Sequence, residues 1–378
     1  MTLRIVADRV IADAAAAFAG FGDVTLHDGR AIGRALLGDC DILLVRSVTR
    51  VDATLLAGTP VRFVGTATAG TDHIDEAWLR THDVAFSAAP GCNARAVGEY
   101  VLACVLARAA ALGRRPDELS CGIVGCGHAG SAALALLETV GVRCLRNDPP
   151  RAAHTPGFVS LAEALTADIV SLHVPLTAAG DHPTTGLIGA RAIAGMQPGA
   201  LLINAARGGI VDEPAWLRAI ADGRISAVVD CWAGEPVVSP ALLAAAWVAT
   251  PHIAGHTIDA RLRATRQLRT TLEAWCRAQG SAVGTWQPAA AAPLPPLVLP
   301  PGDAWATLGA AVTACCSPLA QTVLMRAGLA DDTPGTFDRL RAQFGQRREF
   351  GIRPVALSQA APDTSSLLQG LGFSLDTA

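Results

Sequence analysis

Short apolar runs separated by helical stretches set the rhythm of the first ninety residues. Leu3 to Ala7, Ile42 to Val45, Val61 to Thr66 and Val84 to Ala88 are too short for helices and read as strands buried on both faces, which predicts a parallel sheet. From Ala94 to Leu112 the period changes. Val97, Tyr100, Val101, Cys104 and Val105 fall on one stripe of a packed helix, with Asn93 as its N-cap. A second series of strands then follows: Gly122 to Gly125, Val142 to Arg146, Ile169 to Val174, Leu201 to Asn204, Ala227 to Asp230 and Trp247 to Thr250. A helix is predicted from Asp259 to Gln279. Prolines crowd the stretch Gln287 to Asp303, and the tail has helical runs at Trp305 to Cys316 and Thr336 to Phe344 before a strand-like Arg353 to Leu357.

This order gives an α/β chain of two doubly wound parallel-sheet domains. A flavodoxin-like domain is expected over 1–92 and 256–286 and a Rossmann domain over 93–255. A Pro-rich linker over 287–303 and a small α+β domain over 304–378 complete the expected layout. At 378 residues the chain is long enough for several cores.

Composition narrows the chemistry. Half the residues are hydrophobic and the formal charge is −3, so no basic field recruits nucleic acid or anionic lipid, and a small-molecule partner is expected. The start runs directly into strand-like sequence, and apolar stretches are broken by charge, Gly or Pro; the expectation is a cytoplasmic protein without a membrane span. The ten cysteines show no metal or redox spacing and read as reduced core residues, and neither they nor the histidines suggest a metal. All 30 cationic side chains are arginines, which excludes Schiff-base and P-loop lysine chemistry.

The run Cys121 to Gly130 carries Gly125, Gly127 and Gly130 as G-x-G-x-x-G between a predicted strand and the helical run Ser131 to Val140. That context makes it a pyrophosphate loop, with His128 and Ala129 opening the helix. Asp148, eighteen residues after Gly130 at the end of the next strand, suits a carboxylate on the adenine ribose hydroxyls, which favours NAD over NADP; Arg151 leaves some room for a 2'-phosphate.

Three further pieces follow predicted strands: Asn204 to Asp212, Asp230 to Pro236 and Thr250 to Gly255. Each ends at the sheet edge where open α/β sheets bind ligands. Together they resemble the D-2-hydroxyacid dehydrogenase family. The resemblance implies Arg207, Glu235 and His252 as the catalytic set. His252 would be the base, Glu235 would orient it and stabilise its charged form, and Arg207 would hold the substrate carboxylate. Val174, Ala205, Ala206, Asp230 and Gly255 are expected on the cofactor side.

Val45 to Arg50, Phe63 to His73 and Ser87 to Asn93 are similar to the 4-phosphoerythronate dehydrogenase branch, and the resemblance extends through Phe337 to Leu340 and Arg347 to Glu349. It implies oxidation of a phosphorylated four-carbon hydroxy acid with NAD on the way to pyridoxal 5'-phosphate, in a homodimer held by the tail. Ser47 and Thr68 stand at positions that bind substrate in that branch; Gly70 and Thr71 can offer backbone amides to a carboxylate, and Arg46 and Arg50 are candidate cationic partners for a phosphate. His256 stands where that branch has a substrate-contacting tyrosine. The pair Arg347-Arg348 is expected near a subunit interface or the partner's substrate entrance. The alternatives are a phosphoglycerate or glycerate dehydrogenase, or an NAD-sensing binding protein resembling a corepressor.

Overall fold

The apolar runs of the N-terminal region form strands β1 (Leu3–Asp8), β3 (Ile42–Val45), β4 (Phe63–Thr66) and β5 (Ala85–Ser87), with β2 at Gly22–His27. These coordinates are a computed structural model describing residues 2–281, 283–288, 294–299, 302–329, 334–356 and 362–376. All neighbours are parallel, in the order β2-β1-β3-β4-β5. The sequence pattern does not predict β2. Its residues alternate between partial burial and exposure on an edge strand, so no continuous apolar run marks it. The helix Ile258–Ala278 belongs to this unit, where Leu268, Leu272 and Cys276 pack with Ile5, Ile42 and Phe63.

The second unit spans residues 94–257 and the tail. Its sheet contains β6 (Ser120–Val124), β7 (Arg143–Asn147), β8 (Ile169–Leu172), β9 (Ala200–Asn204), β10 (Ile225–Val229) and β11 (Val248–Ala249), all parallel, in the order β11-β10-β9-β8-β6-β7. Side chains alternate across it. Cys121, Ile123, Leu201 and Ile203 enter one core with the helices Ala94–Ala111 and His128–Thr139, while Val124, Val170, Leu172 and Leu202 enter a second core on the other face. The helix Ala94–Ala111 is buried nearly all round rather than on the single expected stripe, because it packs against both His128–Thr139 and the tail helix Ala304–Cys315.

The tail forms the helices Ala304–Cys315, Pro318–Leu329, Pro334–Phe344 and Pro362–Gly370, with short parallel strands β12 (Leu297–Val298), β13 (Val355–Ala356) and β14 (Leu375–Asp376). Its apolar side chains join the cores of the second unit. Leu308, Val312, Phe350 and Leu368 enter the first, and Met325, Phe337, Leu340 and Phe344 the second. Parts of the expected linker (289–293, 300 and 301) and the end of the strand-like run, Leu357, lie outside the described residues. The stretch Ala304–Leu329 is long and apolar enough by composition to cross a membrane, but its helix is interrupted at Cys316–Ser317 and Leu308, Ala311 and Val312 are buried in the core. All ten cysteines are free thiols, and eight are buried.

The side chain of Arg347 is 6% exposed and pairs inside its own chain with the fully buried Glu99, because two buried charges need each other once water is excluded.

Candidate active site

The cofactor loop connects β6 to the helix His128–Thr139. Gly127 is the N-cap residue and makes no side-chain capping bond, so the first amides of that helix remain available to an anion. A Cβ on Gly127 would meet nothing within 4 Å, leaving open space above the turn. At Gly130 a Cβ would stand 1.9 Å from the Gly125 carbonyl oxygen, so only glycine lets the helix pack this closely. Gly127 and His128 are exposed, Ala129 is half-buried, and Val174 packs its Cγ1 beside Gly125. Asp148 accepts the Cys126 N–H at 2.8 Å and caps the turn Pro149–Ala152 through the Arg151 N–H at 3.2 Å. The Arg151 guanidinium donates to the Cys126 carbonyl and lies over Phe158, which ties it to the loop. This open turn, the free helix amides and the neighbouring carboxylate fit a dinucleotide.

Ala205, Ala206 and Arg207 follow β9. Asn204 shapes this turn, receiving the Ala206 N–H at 3.2 Å and donating to the Arg207 carbonyl at 2.9 Å. The side chain of Arg207 donates to the Ala206 carbonyl at 2.8 Å and remains half-buried.

The loops after β10 and β11 meet in one hydrogen-bonded unit. His252 Nδ1 and Glu235 Oε2 are 2.8 Å apart, and Glu235 Oε1 accepts the Trp232 N–H at 2.8 Å, so the carboxylate is fixed on both oxygens. Both side chains stay partly open, at 29% and 22% exposure, leaving the outer edge of the imidazole accessible. Burial pushes the Glu235 carboxyl up, but the His252 charge and hydrogen bond, the Trp232 N–H and the Arg341 charge outweigh it and hold it below the usual range. His252 itself has a φ of 53°, a left-handed backbone that few non-glycine residues adopt and that its surroundings must impose.

Asp230 imposes it. Its carbonyl accepts the His252 N–H at 2.8 Å, Oδ1 accepts the Ile253 N–H at 2.7 Å and the Thr250 hydroxyl at 2.7 Å, and Oδ2 accepts the Ala254 N–H at 3.0 Å. Thr250 has spent its proton on Asp230, so the Tyr100 hydroxyl 2.6 Å away donates to it. The side chain of Asp230 is fully buried and holds the histidine turn from within. Burial raises its pKa, opposed by His252, Thr250 and the two amides.

Sequence spacing also missed that Cys231, Glu235 and His252 bring donor atoms within 4.8 Å of one another. Burial pushes the Cys231 thiol far up, so it stays protonated, and the imidazole Nδ1 is already committed to Glu235. Gly255 and the half-buried His256 follow this turn, and the His256 N–H donates to the Ile253 carbonyl at 2.9 Å.

In the first unit, Ser47 and Thr68 follow β3 and β4. Ser47 is exposed. The Thr68 hydroxyl donates to the Gly70 carbonyl at 2.8 Å and stands 2.8 Å from the Thr66 hydroxyl, fixing a tight loop. Arg46 pairs through Nε with the fully buried Asp8 at 2.9 Å, while Arg50 pairs with Asp52. Arg261 lies close enough to Arg46 for mutual repulsion to add to the burial that lowers its pKa.

Residues 97–254 match the family model described as D-isomer specific 2-hydroxyacid dehydrogenase, NAD binding domain. The erythronate-4-phosphate dehydrogenase of Azotobacter vinelandii is 42% identical over 98% of this chain and 99% of its own length. The chain belongs to the erythronate-4-phosphate dehydrogenase family. Another member, from Pseudomonas aeruginosa, is 40% identical over 99% of this chain and its full length. The family's fold is that of a wider group: an NAD+-bound 3-phosphoglycerate dehydrogenase from Entamoeba histolytica aligns with a TM-score of 0.63 at 21% identity, covering 74% of this chain and 97% of that one. A D-lactate dehydrogenase from Aquifex aeolicus aligns at 0.59 and 20% identity, covering 73% and 96%. About a quarter of this chain lies beyond these alignments.

Proposed function

We propose that this protein oxidises the C2 hydroxyl of 4-phospho-D-erythronate to 2-oxo-3-hydroxy-4-phosphobutanoate with NAD, a step toward pyridoxal 5'-phosphate. The hydrogen-bonded pair Glu235–His252, at the sheet edge that also carries the dinucleotide loop, is the observation that carries this reading. Bound NAD supplies the acceptor for the C2 hydride.

The chain's residues do the rest. His252 takes the hydroxyl proton at Nε2, since Nδ1 is held by Glu235, and the ionised Glu235 stabilises the resulting imidazolium. Arg207 holds the C1 carboxylate with a guanidinium fork. Gly125, Gly127, His128, Ala129 and Gly130 cradle the pyrophosphate, and Asp148 accepts from the ribose. Val174, Ala205, Ala206 and Gly255 border the cofactor. Ser47, Thr68, Gly70 and His256 supply substrate contacts, with Arg46 as a cationic partner for phosphate.

The assembly proposed is a cytoplasmic homodimer. Leu319, Val323 and Leu324 are exposed on the tail helix Pro318–Leu329, an apolar face that a second copy would cover. Free, mostly buried thiols suit a reducing compartment.

The purified chain with NAD is assayed for NADH formation on 4-phospho-D-erythronate, 3-phosphoglycerate and D-glycerate in parallel. Turnover is expected to be fastest on the first. Preference for 3-phosphoglycerate would sink the substrate assignment, and no turnover on any would favour a binding protein.

A further inference from the structure

The loop after the tail helix Pro334–Phe344 runs against the segment that follows the catalytic histidine. Arg347 donates through Nη2 to the carbonyls of Ala254 and Ala96, both at 2.9 Å, and through Nη1 to Glu99 at 3.2 Å. Glu99 also accepts Arg95 Nε at 2.8 Å and the Phe350 N–H at 3.0 Å, which anchors the far end of the loop. The Thr257 hydroxyl donates to Glu349 Oε1 at 3.2 Å. Both polar groups of the Ala254 backbone are thereby fixed, its N–H by Asp230 and its carbonyl by Arg347. Gly345 comes just before this anchored stretch, and His256 lies between Ala254 and Thr257. A Cβ added at Gly345 would stand 2.7 Å from Cε1 and 2.9 Å from Nδ1 of the His256 ring, closer than real Cβ contacts allow.

The geometry points to Gly345 as a specificity-determining residue: the tail loop, clamped by Arg347 and Glu349, forms the wall against which the His256 imidazole stands. A larger residue cannot share that space with the ring. The Ala254 backbone is held by Asp230 and Arg347, and the nearest atoms that the new Cβ would meet all belong to the end of the His256 side chain, so the imidazole is the part that yields. Gly345 thus acts through His256, and this rests on the reading of His256 as a substrate contact. It gives the tail a part in the site as well as in assembly.

Gly345→Ala separates this role from folding, because Gly345 lacks the positive φ that would strain any side chain. Four full-length proteins are compared: wild type, Gly345→Ala, His256→Ala and the double variant. In the substrate-free protein, the His256 Cε1–H resonance, assigned by its loss in His256→Ala, is expected to move in Gly345→Ala. An unmoved resonance overturns the proposal whatever the enzyme's activity. With NAD and 4-phospho-D-erythronate, Gly345→Ala is expected to raise the hydroxy-acid KM about tenfold, with the NAD KM within about twofold. In the His256→Ala background the same change should add nothing. A moved resonance with an unchanged hydroxy-acid KM, or an equal KM increase in both backgrounds, would overturn the specificity role. A wild-type protein with no turnover on any hydroxy acid would instead count against the proposed reaction, and the resonance would still decide the ring contact.

Discussion

At the scale of single residues, the site depends on a side chain held in an unfavourable backbone. His252 sits at φ 53°, and its main chain and the two following amides are fixed by the buried Asp230. Replacing His252 with Ala is expected to lower kcat by about a thousandfold while NAD still binds, checked by steady-state kinetics and cofactor titration. Glu235→Gln keeps the shape but removes the charge that stabilises the imidazolium, and a fall of about a hundredfold in kcat is expected. The carboxyl of Glu235 is held below the usual range, so its anionic support is present above that depressed pKa and is lost only as pH falls through it. Sequence reading proposes Arg207, Glu235 and His252 because each lies in a contiguous motif that resembles the family. It did not find the work of Asp230, since twenty or more residues separate it from the Thr250, Ile253 and Ala254 groups it binds.

The strands of the second unit carry chemistry at one end and stability at the other. At the N-terminal ends of β6 and β8, Asp168 accepts the Ser120 N–H at 2.8 Å and hydroxyl at 2.6 Å and pairs with Arg114 at 3.1 Å. Burial pushes its carboxyl up, but the Ser120 and Arg114 contacts outweigh that and lower its pKa. Asp168→Ala is therefore expected to lose about 2 kcal/mol of stability near neutral pH with kcat unchanged. A depressed folded-state pKa contributes stability that is present above the unfolded value and disappears as pH falls through the folded one. The Tm gap between variant and wild type should close over that acid range. At the opposite end, Gly130→Ala would drive a Cβ into the Gly125 carbonyl, and weaker NAD binding by at least about tenfold is the expected calorimetric result. The glycine spacing made this loop legible in advance. The edge strand β2 was not, because its partners rather than its own apolar content hold it in the sheet.

For the whole molecule, the tail's dual placement is the main structural addition. Some of its side chains complete both cores of the second unit, while Leu319, Val323 and Leu324 remain exposed. Val323→Glu is expected to shift a dimer toward monomer in sedimentation velocity, because a charge in an apolar contact is costly to desolvate. An unchanged sedimentation coefficient with a dimer still present would place the contact elsewhere. The sequence alone determined the two parallel sheets and the glycine loop between strand and helix, and it pointed to Arg207, Glu235 and His252 by resemblance, since each is written in local periodicity or in a short contiguous motif. Only the tertiary structure decided that Arg347 turns inward to Glu99, that Asp230 is a buried support, and that Gly345 lies against His256. These depend on which distant groups must satisfy one another once water is excluded, and no local pattern records that pairing.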